Sequence, residues 1–423
     1  MKTPLGWSLT WIVLGLLAPL MAQSAKLPLP RGDAVALGFD PVRLQRLDAV
    51  IQDYVDRKQI AGGVMYVARD GRTAHQRAYG KQDLEAGTPM ATDAIFRIAS
   101  MSKAVTSIAV MMLYEEGKFM LHDPIDRYIP AFKNSVVAVP PPKGSAPGVK
   151  FATEKAKRPI QIRDLLTHTA GLTYGSGPAA ELYKEAKLSD WYFADKDETL
   201  ETAINRLGKL PLHGQPGEVY QYGFSTDVLG RLVEVVSGLP LDRFFAERIF
   251  GPLKMVDSCF FLPPEKESRL AKVYGLEQGQ LVIGDQGHYV RGPRKCFSGG
   301  AGVLSTTGDY ARMLQMLLNH GELEGVRLLS RKSVELMHAN HTGDLYRKDT
   351  SAFGLGFWVN NDLGYFGELG SEGAYGWGSA YFPQYLVDPK ERIVALFMTQ
   401  HRPSGGIDLN QKFKVMMYQA LVK

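Results

Sequence analysis

The chain reads as an α+β protein: one antiparallel sheet built from both ends of the sequence, flanked by an N- and a C-terminal helix, with a mainly helical subdomain between them. Three observations predict this. An amphipathic helix and a hairpin open the mature chain, and strand patterns return near the C-terminus, where a second amphipathic helix closes it. The interval between, roughly 100–290, alternates helical patterns with Pro/Gly-rich loops. The expected organisation is one domain over 26–423, with a sheet subdomain at about 35–99 and 291–423 and the helical subdomain at about 100–290.

In chain order, "FDPVRLQRLDAVIQDYVDRKQI" places Asp40 as N-cap and Pro41 at the first helical position, with Leu44, Leu47, Val50, Ile51 and Val55 at helical spacing. The runs "GGVMYVA" and "TAHQRAYG" are strand-like, and Arg69-Asp70-Gly71-Arg72 between them signals a hairpin. "LETAINRL" and "STDVLGRLVEVVSG" read as helices, whereas 139–159, "VPPPKGSAPGVKFATEKAKRP", has too few large apolar residues to pack and reads as an exposed excursion. "GLGFWVN", "YFPQYLVD" and "RIVALFMTQ" read as strands, and "LNQKFKVMMYQALVK" as the closing helix. There is no internal repeat, and the Gly-rich segments lack the strand-GxGxxG-helix context of a dinucleotide site.

A chain of 423 residues, 45% of them hydrophobic, can bury a large core. Its 49 basic and 44 acidic residues are interleaved, and the resulting charge of +5, without a basic run, argues against nucleic-acid binding. Residues 1–25 read as a secretory signal: Lys2, an apolar run over 11–17 and small residues at Ala22, Ser24 and Ala25. That run is shorter than the ~20 residues a spanning helix needs, so the expectation is cleavage, no stable membrane anchor, and a periplasmic or secreted location. Cys259 and Cys296 could be joined in an oxidising compartment or stand as two buried thiols, and the sequence leaves both open. It is silent on oligomeric state.

The chemistry centres on "FRIASMSKAVTSIAV" at 96–110. Ser100 and Lys103 form the chain's one S-x-x-K spacing, which on a helix places both side chains on one face, about 5–6 Å apart at Cβ. A serine hydroxyl becomes nucleophilic when a neighbour takes its proton, and N–H groups at a helix start can stabilise an oxyanion. Taken alone the pair also fits an N-cap serine beside a snorkelling lysine. The following run Ala104, Val105, Ile108, Ala109, Val110, Met111, Met112 and Leu113 implies a helix buried on most sides, so a lysine in its first turn needs a polar partner.

These residues, with "LLTHTAGLTYG", "PGEVYQYGFSTDVLGRLVEVVSG", "SGGAGVLSTTGDYARMLQMLLNHG" and "GWGSAYFPQYLVDPKERIVALFMTQ", resemble the serine hydrolases related to class C β-lactamases, a superfamily that includes D-peptidases and the family VIII carboxylesterases. The resemblance runs over nearly all of the mature chain and implies a β-lactamase/transpeptidase-like fold. It implies Ser100 as the acylated nucleophile, Lys103 as its partner and Tyr222 as general base, in a Tyr222-Gly223-Phe224 triplet where the family usually has Y-x-N. Gly223 is expected to leave room for substrate beside Tyr222, and Tyr220 suits a packing role better. Phe224 replaces an asparagine that would bind a substrate carbonyl.

Trp377-Gly378-Ser379 stands where lactamases and peptidases have a lysine- or histidine-led triplet and esterases of the family often have Trp-Gly-Gly. The loss of that cation favours neutral acyl groups, and the N–H groups near Ser379 or Ala380, with that of Ser100, would form the oxyanion hole. The implied function is ester hydrolysis without metal or cofactor. Amide hydrolysis by the same residues (β-lactamase, D-peptidase or transacylase) is an alternative, and a catalytically silent protein that binds cell-wall fragments is another. His168 tempts toward a Ser-His-Asp triad, but it lies in a loop signature, reads as structural, and the G-x-S-x-G elbow is absent. His338 and His341 have no third ligand near them in sequence, so no metal site is expected.

Overall fold

The computed structural model describes Met1 and residues 29–347, 351–403 and 406–423. The expected signal segment therefore lies, apart from Met1, outside the described residues.

The sheet is antiparallel and eight-stranded, in the spatial order Ser351–Phe353, Trp358–Asn360, Tyr375–Gly378, Gln384–Asp388, Ile393–Thr399, Gly62–Arg69, Arg72–Asp83 and Thr88–Pro89. The two ends of the chain meet at its centre, where Gly62–Arg69 pairs with Ile393–Thr399 in the register Val64↔Met398, Tyr66↔Leu396 and Ala68↔Val394. The hairpin turns at Asp70 and Gly71, at φ 52° and 72°, the left-handed pair that a two-residue turn between twisted strands requires.

Strand Gly62–Arg69 is apolar on both faces because both are covered. Met65 and Val67 pack with Leu47 and Ile51 of helix Pro41–Asp56 and Phe413 of helix Leu409–Tyr418. Val64, Tyr66 and Ala68 face the larger core, which contains Val105 and Ile108 of helix Ser102–Glu115 and Met313 and Leu317 of helix Thr307–Leu318. The first helix starts as its sequence indicates, Asp40 Oδ1 accepting from the Arg43 N–H with Pro41 at the first position.

Between the halves of the sheet, helices Leu200–Leu207 and Ser225–Ser237 occupy the segments whose periodicity marks them. The excursion at 139–159 is corrected in one respect: Val136–Val139 pairs with Ala152–Lys155, so its base is a small hairpin and only the connection is a loop. The reason is register with a neighbour, since Ala138 N–H also donates to the Leu212 carbonyl. Cys259 and Cys296 are both free thiols, Cys296 buried and Cys259 partly so, and burial pushes the Cys259 thiol up to about 12. Among the described residues no helix is long and apolar enough to cross a membrane.

Candidate active site

Helix Ser102–Glu115 enters the core through a short 3-10 turn, Ala99–Met101, and Ser100 lies on that turn. The cap positions of the turn and of the helix are held by Ile98 and Met101, which removes the N-cap reading of Ser100. Ala99, just before it, has φ 34°, a conformation that costs a residue with a Cβ and persists only where surrounding packing holds it. That packing is visible. Ser102 Oγ accepts from the Val303 N–H at 3.0 Å, and the Tyr310 hydroxyl donates to the Met101 carbonyl at 2.8 Å. Ser102 is thus structural, and it leaves Ser100 as the hydroxyl that faces open space.

That space is a cleft of about 470 Å³, lined by Ser100 and by Tyr174, Tyr222, Trp377, Gly378, Ser379 and Ala380, together with Trp191, Trp358, Tyr346, Arg347, Ser351 and Lys414. Lys103 stands behind it, 1% exposed. Its Nζ donates to the Gly300 carbonyl at 2.8 Å and to the Tyr174 hydroxyl at 3.1 Å, and lies 4.7 Å from the centroid of the Tyr222 ring. A cation there stabilises negative charge that develops on the phenol. The Trp377 indole N–H donates to the Tyr222 hydroxyl at 3.3 Å, reinforcing the same polarity.

The structure therefore brings Ser100, Lys103, Tyr222 and Trp377 together. It also adds Tyr174, which sequence reasoning missed although it stands in the quoted "LLTHTAGLTYG". Burial, and after it the neighbouring Tyr222, Asp227 and Tyr220, holds the Tyr174 phenol well above its ordinary range, so it serves Lys103 as a neutral acceptor and keeps a proton of its own to donate.

Two expectations change. Phe224 does not reach the cleft: it is fully buried, stacked on Phe193 at 5.6 Å and edge-on to Tyr174 at 4.8 Å. Its position follows from the helix it precedes, Ser225–Ser237, which directs it into the core, and there it supports the Tyr174 ring from behind. Gly223 does not open room for substrate either. A Cβ there would lie 2.3 Å from the Leu172 carbonyl oxygen and 2.6 Å from the Thr173 Cα, so glycine lets the Tyr222 segment lie directly on the segment that carries Tyr174. Beyond the Trp377 triplet the cleft also carries cationic side chains. Lys414 is ion-paired with Glu368 and lies over the Trp358 ring, and Arg347 lies over Tyr346 at 5.3 Å.

Tyr375–Gly378 is held between Trp358–Asn360 and Gln384–Asp388, with Trp377 opposite Tyr385 and Gly378 opposite Gln384. Pairing ends at Gly378, and Ser379 and Ala380 turn at the mouth of the cleft, the Ser379 carbonyl accepting from the Phe382 N–H at 2.9 Å. Among the described residues the Ala380 N–H has no backbone acceptor, which leaves it available to a ligand.

His168 is 1% exposed and packs against Tyr222 at 4.7 Å, with Tyr220 and Phe353 on other sides. Burial and then the Lys103 charge hold its imidazole well below the usual range, so it is a neutral wall for Tyr222. His338 stacks on Tyr375, and the His341 Nε2 engages the Leu336 carbonyl at 2.8 Å. Among the described residues no group of three His, Cys, Asp or Glu side chains is placed to hold a metal.

Comparison with known proteins agrees with this architecture. The β-lactamase family model matches residues 47–413. An uncharacterized protein of Mycobacterium tuberculosis is 35% identical over 381 residues, covering 85% of this chain and 90% of that protein. Esterase EstB of Burkholderia gladioli is 32% identical over 397 residues, covering 88% and 94%. Among solved structures, EstCE1, described as a hydrolase with promiscuous acyltransferase activity, superimposes with a TM-score of 0.76 at 25% identity, covering 90% of this chain and 98% of its own. The chain belongs to the β-lactamase family, as a serine hydrolase of the family VIII-like kind.

Proposed function

We propose that the protein hydrolyses carboxylic esters through an acyl-enzyme on Ser100. Tyr222 takes the Ser100 proton as the hydroxyl oxygen attacks the ester carbonyl, and returns it to the departing alkoxide. The N–H groups of Ser100 and Ala380 hold the oxyanion, and water then releases the acid by the reverse relay. Lys103, its Nζ 4.7 Å from the Tyr222 ring centroid, is the electrostatic partner of Tyr222. The observation that carries the reading is the convergence of Ser100, Tyr222 and Trp377 on one cleft with the Lys103 amine directly behind the phenol. The similarity to Esterase EstB supports it.

Trp377 favours neutral acyl groups over carboxylate-bearing lactams and peptides in this proposal. It places an indole where a lysine- or histidine-led strand would present a cation to a substrate carboxylate, and Lys414, the amine nearest that role in the cleft, is already paired with Glu368. Arg347 also lines the cleft, and its presence makes the comparison with a carboxylate-bearing lactam informative. A short-chain aryl ester is expected to be hydrolysed with kcat/KM at least about 100-fold above that for a cephalosporin. Faster turnover of the cephalosporin would reverse the preference.

The protein is further proposed to be exported, on the pattern of residues 1–25 alone. Intact mass of protein recovered from the periplasm or medium should lack the segment up to 22–25. Retention of Met1 in that fraction would contradict export with cleavage.

A further inference from the structure

Behind the reactive residues lies a carboxyl group with no part in the steps above. Asp227, in the first turn of helix Ser225–Ser237, is fully buried. Its Oδ1 accepts from the Ser298 hydroxyl at 2.5 Å and from the Gly300 N–H at 3.1 Å. Gly300 is also the residue whose carbonyl accepts from Lys103 Nζ at 2.8 Å, so a single residue links the carboxyl group to the amine.

The rest of the segment is pinned as well: Ser298 Oγ accepts from the Ala301 N–H at 2.9 Å, and Thr106 Oγ1 donates to the Gly299 carbonyl at 2.6 Å. Asp227 Oδ2 has no hydrogen-bond partner among the described residues, and a Cβ on Gly300 would lie 2.6 Å from it. A buried carboxyl oxygen left unbonded is costly, and a position that only glycine fits keeps it pressed against the Lys103 acceptor.

We propose that Asp227 is a positioning residue for the reaction: it fixes Gly300 so that its carbonyl holds the Lys103 amine against Tyr174 and the Tyr222 ring. This rests on the serine-hydrolase reading of Ser100 and Lys103, and the test separates the two. The rate at which a fluorophosphonate probe labels Ser100 reports hydroxyl activation directly, and kcat and KM for an aryl ester separate activation from binding.

Asp227→Ala is expected to slow labelling and kcat by about 100-fold, the loss typical of a misplaced reacting group, with KM changed by less than about threefold. Asp227→Asn keeps a carbonyl oxygen for the Ser298 and Gly300 donors and is expected to restore the rate to within about tenfold of wild type. If Asp227→Ala is not recovered folded, Ser298→Ala, which removes one donor, should slow labelling and kcat by about 10- to 100-fold.

Folded Asp227→Ala, or Ser298→Ala in its place, labelling at the wild-type rate would overturn the inference alone. So would Asp227→Asn no faster than Asp227→Ala, or a loss confined to KM. A wild-type protein that takes no label would overturn the serine-hydrolase reading and this inference with it.

Discussion

Ser100→Ala is expected to lower turnover of a short-chain aryl ester by roughly 10⁴-fold or more while leaving the fold intact. The size follows from the role: without the hydroxyl no acyl-enzyme forms, and what remains is the oxyanion site and the cleft acting on water. The fold should not suffer, because Ser100 holds no cap position and the turn is held by Ser102 and Tyr310. Steady-state hydrolysis, with thermal unfolding as a control, checks both halves. A variant that kept a tenth of wild-type turnover would remove Ser100 from the reaction.

Tyr222→Phe is the second large effect. The phenol oxygen is the one polar atom removed, and the ring keeps its packing against His168 at 4.7 Å and Trp377 at 5.6 Å. Lys103 keeps both of its acceptors, Gly300 and Tyr174. The expected outcome is a fall in kcat of about 10²–10⁴-fold, the usual weight of a positioned general base, with KM nearly unchanged. A fall of less than about threefold would assign the proton transfer elsewhere, with Tyr174 the next candidate on position, although its burial holds it protonated.

Much of this was legible in the sequence where the signal was local. Asp40-Pro41, Asp70-Gly71 and the periodicity of 200–207 and 225–237 act within a few residues, and the corresponding cap, turn and helices form there. The Ser100–Lys103 spacing is local too, and the order of the resembling stretches supplied Tyr222 and Trp377. The features that escaped are long-range. Tyr174 lies 71 residues from the lysine it serves, and Gly300 lies 197 away.

Phe224 shows a different limit. The identity at that position suggests a lost contact to substrate, but whether a side chain meets the cleft depends on how the next helix is docked, which spacing does not record. Gly223 suggests space where the fold has contact, because a glycine is silent about which backbone approaches it. Arg347 and Lys414 stand on segments whose placement comes from folding rather than pattern, so the charge of the cleft was the least legible property of all.

The central claim is that Ser100 is the acylated residue, and intact mass after exposure to a fluorophosphonate probe tests it most directly. One probe adduct per chain, mapped by peptide mass to Ser100 and absent in Ser100→Ala, is the result predicted. An unlabelled wild-type protein, or a label that persists at equal stoichiometry in Ser100→Ala, would contradict it.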